Sequence, residues 1–267
     1  MSAPAIGIGL DGNNDVPIAQ IPGLVLPAML DTILMVGIVM AIVVVVGIPL
    51  GSIIHNLAEG GLFESPALYR VLNWVVSAGR SLPFLVLMAA IVPFTQWLTG
   101  TVIGIPAAVV PMSIAGSAFF TRIVENSLRS VPSTLASVAK ASGASRLQII
   151  ISAQLSEALP SLIGGFTINT IAMIDYSAIA GSIGAGGIGY VAVTYGYQRF
   201  DHTVMLVTIV VLIATVALVQ FLGDQLVRLT TPERRLRESR RTLGARPGGA
   251  QPGRAHPASA HLLGSAK

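Results

Sequence analysis

The chain has 267 residues, of which 53% are hydrophobic and only 10% are charged, and its mean hydropathy is +0.76. A soluble domain carries about 25% charged residues, so this composition indicates a surface that faces lipid. There is no cysteine, which excludes a disulfide framework and a thiolate metal site. The formal net charge of +4 reflects a basic stretch after the last apolar run, and because no nucleic-acid-binding motif accompanies it we expect no nucleic-acid partner.

The first 28 residues precede the long apolar runs. Up to Ile21 they contain Gly, Pro and Asp but no Lys or Arg. A signal peptide needs a basic region before its apolar core, so this segment does not resemble one. We expect residues 1–28 to be a short extracytoplasmic leader.

Five apolar stretches follow, each long enough to cross about 30 Å of hydrocarbon as a helix. They are residues 32–54, 71–99, 101–121, 158–183 and 203–222. Strands of a membrane barrel alternate polar and apolar residues, and these stretches do not. A spanning backbone must also satisfy its own hydrogen bonds. The sequence therefore predicts an all-α membrane protein, with five transmembrane helices in a domain of residues 29–229.

The basic residues predict the orientation. If the C-terminus is cytoplasmic, every Lys and Arg except Arg199 lies in residues 56–80, in residues 122–156, or after the fifth stretch. Basic residues favour the cytoplasmic side of a membrane. We therefore expect the N-terminus outside and the C-terminus inside. Residues 230–267, rich in Gly, Pro, Ala and Arg, are predicted to be a disordered cytoplasmic tail that contacts membrane lipid at most.

The loop between the third and fourth stretches has a helical pattern. Pro132 suits the first turn of a helix, and Gly143 can end that helix in the left-handed conformation. Ser145 and Gln148 then have the spacing of a capping box for a second helix. The residues alone leave two interpretations open: a surface hairpin that only joins two spans, or a docking site for a cytoplasmic partner.

Motifs in and around this loop carry a family resemblance. Residues 138–145 (VAKASGAS) followed by 157–160 (EALP) resemble the EAA loop of bacterial ABC importer permeases. Further segments are similar to the methionine branch of that family: 80–84 (RSLPF), 91–95 (IVPFT), 124–126 (VEN), 176–178 (YSA), 184–189 (GAGGIG), 195–197 (YGY) and 220–224 (QFLGD). The family's loop glutamate and first loop proline fall on Ser137 and Ser156 here.

This resemblance implies a permease subunit, in a bacterial inner membrane, of an ATP-driven amino-acid importer, with methionine as its substrate. It implies a homodimer that works with cytoplasmic ABC ATPase subunits and an extracytoplasmic substrate-binding protein. The loop would be the ATPase-coupling segment, formed by Lys140, Ala141, Gly143, Ala144, Ser145 and Arg146.

Asp175 is an acidic residue deep inside the fourth stretch. A charge in the bilayer is costly, so such residues usually face a cavity or a partner. One interpretation is a translocation path lined by Asn169, Met173, Asp175, Tyr176 and Ser177. The other is that Asp175 lies near the membrane edge or is protonated at a helix–helix contact. Separately, Arg122 and Glu125 are spaced to pair on one helix face.

Motifs of enzymes do not fit this chain. Residues 184–189 match G-x-G-x-x-G, but a dinucleotide site needs that motif between a strand and a helix, and here it follows a membrane stretch. No G-K-[ST] sequence is present, so an ATPase would have to be another chain. We expect no catalytic residue, no cofactor and no metal site. The alternatives are a permease for another amino acid, a secondary transporter with Asp175 as its ion-coupling group, and a membrane scaffold.

Overall fold

The structure is a computed structural model that describes residues 16–231, and this range contains helices and short turns but no strand. The α-helices are α1 Ile21–Leu57, α2 Pro66–Ser81, α3 Phe84–Ala90, α4 Val92–Thr99, α5 Ile105–Arg129, α6 Ser133–Ala141, α7 Arg146–Gln148, α8 Ser156–Ala180, α9 Gly187–Val191 and α10 His202–Thr230. A 3-10 turn, Ile18–Gln20, precedes α1, and wider π-helical turns cover Ile149–Leu155, Gly181–Ala185 and Ala192–Gln198. The all-α prediction is confirmed.

Four continuous helical stretches are long and apolar enough to cross a membrane. They are Ile18–Leu57, Ile105–Arg129, Arg146–Ala185 and His202–Thr230, and they contain the first, third, fourth and fifth predicted spans. The first is helical from Ile18, so the predicted leader is already part of this helix over its last residues. Residues 1–15 of that leader and residues 232–267 of the predicted tail lie outside the described residues.

The second predicted span, residues 71–99, is bent and interrupted rather than one straight helix. Helices α2 and α3 are bent by 103° relative to each other, and α4 follows after a further break at Ile91. Pro83 explains the sharp bend, because the residue before a proline is driven out of the helical region. Leu82 has the expected extended backbone, with φ −86° and ψ 131°. A fifth span exists only if α2 and α3 count as one bent crossing.

The centre of the bundle is the close packing of α1 against α5. A Cβ atom at Gly47 would lie 2.8 Å from the ring of Phe120, and one at Gly51 would lie 2.7 Å from the carbonyl oxygen of Thr121. Glycines four residues apart have no side chain in the way, so they allow two helices in a membrane to approach closely. Such close packing matters there, because lipid supplies no hydrophobic force to hold the helices together. The contact of α1 and α5 therefore forms the core of the bundle, in which Met35, Val39 and Val43 of α1 and Val124 of α5 are buried.

Helices α8 and α10 pack outside this core. Gly165 of α8 lies against Ile123 of α5, and Gly223 of α10 lies against Thr167 of α8. Helix α10 buries little else and presents apolar side chains such as Ile213 and Leu218 to its surroundings. It is a peripheral helix of the isolated protomer.

We call one end of the bundle the hairpin end, where α6 and α7 lie, and the other the glycine end, where residues 181–189 lie. At the glycine end Gly186 and Gly187 have positive φ values, of +86° and +77°, which other residues rarely adopt. The amide of Ile188 donates to Thr32 Oγ1 at 2.9 Å, so the turn rests on α1. Because it follows a helix rather than a strand, it does not have the context of a dinucleotide site.

Candidate functional site

The segment from Ser133 to Gln148 folds as the predicted hairpin. Helix α6 ends before Gly143, whose φ of +81° reverses the chain. Ser145 Oγ accepts the amide of Gln148 at 3.4 Å, and Gln148 Oε1 accepts the amide of Ser145 at 2.8 Å. This is the reciprocal capping box that the sequence predicts. The structure differs from the prediction at Pro132, which is the N-cap of α6 rather than a residue of its first turn.

The hairpin presents a continuous exposed surface. Of the six residues predicted to form the coupling segment, Ala144 is half-buried and the others are exposed: Lys140, Ala141, Gly143, Ser145 and Arg146. Apolar side chains stand beside them, with Val138 and Leu147 exposed by 64% and 66%. Exposed apolar groups next to positive charges are typical of a surface that another protein covers.

Two contacts join the hairpin and the turn that follows it to the end of α1 and the loop after it. The side-chain amides of Asn56 and Gln154 bond to each other reciprocally at 2.9 and 3.0 Å, and both residues are buried. The guanidinium of Arg146 lies 5.7 Å from the centre of the Phe63 ring, within the range of a cation–π contact. The hairpin therefore packs against the bundle at this end.

Glu125, near the end of α5, is the centre of a buried polar network. It is 1% exposed, and its carboxylate accepts from Arg122, from Arg129 at 2.7 Å and from the hydroxyl of Tyr69 at 3.3 Å. The predicted pair of Arg122 and Glu125 is confirmed. A carboxylate this deeply buried needs such partners, since an unpaired charge there costs several kcal/mol.

The same network joins α5 to the polar face of α2. Arg122 donates to Asn73 Oδ1 and, at 3.3 Å, to Ser77 Oγ. The opposite face of α2 exposes Val71 and Val75. An amphipathic helix of this kind is held by its polar face against the protein and by its apolar face against lipid. Arg129 lies three residues before Pro132, so the network sits directly behind the hairpin.

The residues predicted to line a path do not share one face of α8. Asn169, Met173 and Ser177 are at most 1% exposed and face the interior of the protomer. Asn169 Nδ2 donates to the carbonyl oxygen of Gly116 at 3.3 Å, across to α5. Tyr176 is half-buried and stacks on Phe84, with ring centres 4.4 Å apart.

Asp175 is separated from these residues and faces outward. It lies on an exposed stripe of α8 and its following turn that repeats every seven residues: Ser161, Ile168, Asp175 and Ser182. Positions seven apart lie on nearly the same side of a helix. Within residues 16–231 the carboxylate of Asp175 is exposed and has neither an ion pair nor a hydrogen-bonding partner.

Sequence reasoning missed two groups. The roles of Tyr69 and Asn73 were not predicted, because these residues lie on α2 and no local spacing signals their meeting with α5. The role of Arg129 was also missed, although its spacing of four residues from Glu125 on α5 could have indicated it. Asp201 was also missed. It is fully buried, and its Oδ1 accepts the amides of Thr203 and Val204 at 3.0 Å, an N-cap that its position before α10 could have indicated.

Comparisons with known proteins agree with this architecture. Residues 47–236 match the model of the family described as binding-protein-dependent transport system inner membrane component. A probable D-methionine transport system permease of Vibrio cholerae is 46% identical over 205 residues, covering 77% of this chain and 91% of the relative. A relative with the same description in Haemophilus influenzae is 35% identical, covering 77% of this chain and 97% of its own length.

Solved structures give the same result. A chain of the MetNI methionine ABC transporter, in an inward-facing conformation, superposes with a TM-score of 0.78 and 36% identity, covering 79% of this chain and 97% of that one. An amino acid ABC transporter with histidines has a TM-score of 0.60 at 17% identity, which indicates a shared fold alone. The chain belongs to the family of binding-protein-dependent transport system inner membrane components.

Proposed function

We propose that this chain is the membrane permease subunit of an ATP-driven importer whose substrate is methionine. The observation that carries the proposal is the hairpin of α6 and α7: an ordered, capped and exposed surface fixed to the end of the first span. A loop that only joined two spans would need neither the capping box nor the exposed apolar side chains. The identity of 46% to a D-methionine permease supports methionine as the substrate.

The proposed partners follow from the missing phosphate-binding motif and from the exposed surface of the hairpin. Its sequence has no phosphate-binding loop with G-K-[ST], so ATP would be hydrolysed by separate ABC ATPase subunits that dock on the hairpin. The hairpin end is then cytoplasmic, with the N-terminus outside and the C-terminus inside. An extracytoplasmic binding protein would deliver substrate at the glycine end.

A homodimer would give the exposed stripe of α8 a function. In a two-fold symmetric pair the same surface of each protomer faces the other. The stripe of Ser161, Ile168, Asp175 and Ser182 would then line the path between protomers, with Asp175 facing the ammonium group of an amino acid. Asn169, Met173 and Ser177 would support that wall from behind, and Tyr176 would hold it against Phe84.

The buried network offers a route for coupling. A push on α6 reaches Arg129 through the short connection after α5, and Arg129 contacts both Glu125 and Tyr69. The ends of α5 and α2 would therefore move together when the ATPase closes. Coupling of this kind requires the ATPase to bind the two arrangements of the permease with different affinities.

The test is uptake of labelled methionine by vesicles that contain this chain, its ATPase and its binding protein. We expect uptake to require ATP and all three components, and to be lost with Gly143→Trp, which disrupts the hairpin turn. Uptake driven by an ion gradient with this chain alone would instead establish a secondary transporter.

A second amino acid as substrate is distinguished in the same vesicles. Competition by unlabelled amino acids gives the order of preference, and Asp175→Asn tests the proposed wall. If Asp175→Asn leaves both the rate of uptake and the order of preference unchanged, Asp175 does not line the path.

A further inference from the structure

A cavity of about 620 Å³ lies at the hairpin end, between the last turns of α1 and α5, the start of α2, and helix α6. The ionisable and hydroxyl groups that decide its chemistry are His55, Glu59, Tyr69, Arg129, Ser137 and Lys140. It borders the exposed hairpin surface and shares Lys140 with it. Asp175 of α8 does not line it.

The charges around this cavity favour an anion. Arg129 and Lys140 are two cations from different helices, and Glu59 is an acid in the lining itself. Glu125 lies behind Arg129, but it is shared with a second guanidinium, that of Arg122. The lining itself therefore has two cations, one acid and His55, and Glu64 accepts the amide of the lining residue Gly60.

Arg129 and Lys140 each have N–H groups that make no hydrogen bond within the described residues. The Nη2 atom of Arg129 donates to Glu125 and to the hydroxyl of Tyr69, which leaves the Nη1 and Nε hydrogens of the five-donor guanidinium unused. Within residues 16–231 the Lys140 ammonium makes neither an ion pair nor a hydrogen bond. His55 adds a buried Nδ1 atom without a hydrogen-bond partner, and buried polar atoms of that kind usually have one.

We propose that this cavity binds a phosphate group, held between Arg129 of α5 and Lys140 of α6. Cationic donors come from two different helices, which suits an anion with three or four oxygens. The cavity lies where α1 and α5 end, and basic pockets between spanning helices bind anionic headgroups. The phosphate comes either from an anionic lipid or from free phosphate in solution.

A bound phosphate would act as a bridge between two elements. Arg129 belongs to a span, whereas Lys140 belongs to the hairpin, and an anion between them would hold α6 in its present position against α5. The ligand thus favours one arrangement of the hairpin over others, because a ligand stabilises the state that it binds best.

The experiment measures the thermal midpoint of the full chain, purified in a neutral detergent without phosphate. Three probes are titrated at constant ionic strength: inorganic phosphate, a short-chain phosphatidylglycerol, and a short-chain phosphatidylcholine. We expect the first or second to raise the midpoint in a saturable way and the third to have no effect. A rise with inorganic phosphate identifies the free anion as sufficient, and a rise with phosphatidylglycerol alone identifies the lipid headgroup.

Matched variants on α6 make the test specific. Ser137→Glu places a carboxylate in the cavity and is expected to weaken the apparent affinity at least about tenfold, through repulsion of the anion. Thr134→Glu adds the same charge to an exposed residue of α6 that does not line the cavity, and should leave the affinity as it is. Lys140→Gln should weaken binding without filling the cavity.

Two outcomes overturn the proposal. One is the absence of any shift in the unaltered chain with both anionic probes. The other is an equal shift in the unaltered chain and in Ser137→Glu. The thermal midpoint does not depend on transport. The phosphate site can therefore be disproved while the importer function stands, and the importer function can be disproved while the phosphate site stands.

Discussion

The two ends of the bundle are built by opposite means. At the hairpin end a buried carboxylate, Glu125, gathers two guanidinium groups and a tyrosine hydroxyl from helices α2 and α5. At the glycine end a buried carboxylate, Asp201, accepts only backbone amides, including that of Val16 at 2.6 Å. The first connects side chains of separate helices, and the second caps α10 and binds the backbone of Val16, which precedes α1.

This difference suggests a division of labour between the ends. Side-chain networks that bridge two helices can rearrange when one helix moves, because each partner has other rotamers and other donors. Backbone amides at an N-cap have a single geometry, and a positive φ at Phe200 (+58°) just before Asp201 adds to the constraint. The hairpin end is therefore suited to transmit movement, whereas the glycine end is suited to hold the start of α10 in a fixed position.

The largest expected effect comes from breaking the hairpin-end network. Glu125→Ala leaves Arg122 and Arg129 facing each other without their anion, and should lower the free energy of unfolding by about 3 kcal/mol, the low end for a buried pair because Arg129 is half-exposed. Unfolding in mixed micelles measures the change. The control is Asp224→Asn, since Asp224 bonds to Gln220 on an exposed face of α10 and should cost under about 0.5 kcal/mol. An equal loss of unfolding free energy in the two variants would mean that the network around Glu125 stabilises the fold no more than the surface pair of Asp224 and Gln220.

At the glycine end, Asp201→Ala should cost about 2 kcal/mol, because α10 loses its N-cap and the amide of Val16 loses its acceptor. The same variant should make the segment before α1 more sensitive to protease, and Asp201→Asn should recover part of the loss. If proteolysis does not change, Asp201 caps α10 without holding the start of the chain.

A smaller effect is expected at the turn of the hairpin. Gly143→Val forces a β-branched residue into a φ of +81°, which should cost about 1–2 kcal/mol, whereas Gly143→Asn should cost only a few tenths. The informative measurement is affinity for the ATPase subunit, which should fall with Val and persist with Asn. Affinity that falls equally for both would mean that the side chain, and not the turn conformation, matters at this position.

The smallest expected effect is the loss of the capping box. Ser145→Ala removes the acceptor of the Gln148 amide and should cost about 1 kcal/mol, measured as faster hydrogen exchange in residues 145–150. Exchange at α10 should not change. A rise in exchange across the whole bundle would mean that the hairpin is not a local unit.

Local signals in the sequence were sufficient for much of this fold. Long apolar runs located four spans, and Gly143, Ser145 and Gln148 defined the hairpin, because turns and caps depend on neighbouring residues. The bend before Pro83 had a signal of the same kind, yet the continuous apolar run through residues 81–99 outweighed it. Hydropathy indicates whether a segment lies in lipid, but it does not indicate the direction in which the helix axis runs.

What escaped prediction depends on contacts between distant segments. Polar residues are scattered around α8 rather than gathered on one face, so its sequence does not distinguish the buried Asn169 and Met173 from the outward Asp175. Tyr69, which donates to Glu125, lies 56 residues away on α2, and Val16 is 185 residues from Asp201. Such pairings follow from packing, which a single sequence without a structure does not specify.

The central claim is that the hairpin end is the cytoplasmic, ATPase-binding end. The absence of cysteine allows a direct measurement with single-cysteine variants at two similarly exposed positions: Val138→Cys on the hairpin, exposed by 64%, and Tyr197→Cys at the glycine end, exposed by 68%. With a membrane-impermeant maleimide, we expect Tyr197→Cys to react in right-side-out vesicles and Val138→Cys in inverted ones, where the ATPase subunit should protect it. Reaction of Val138→Cys from the outside, or no protection by the ATPase, would contradict the account.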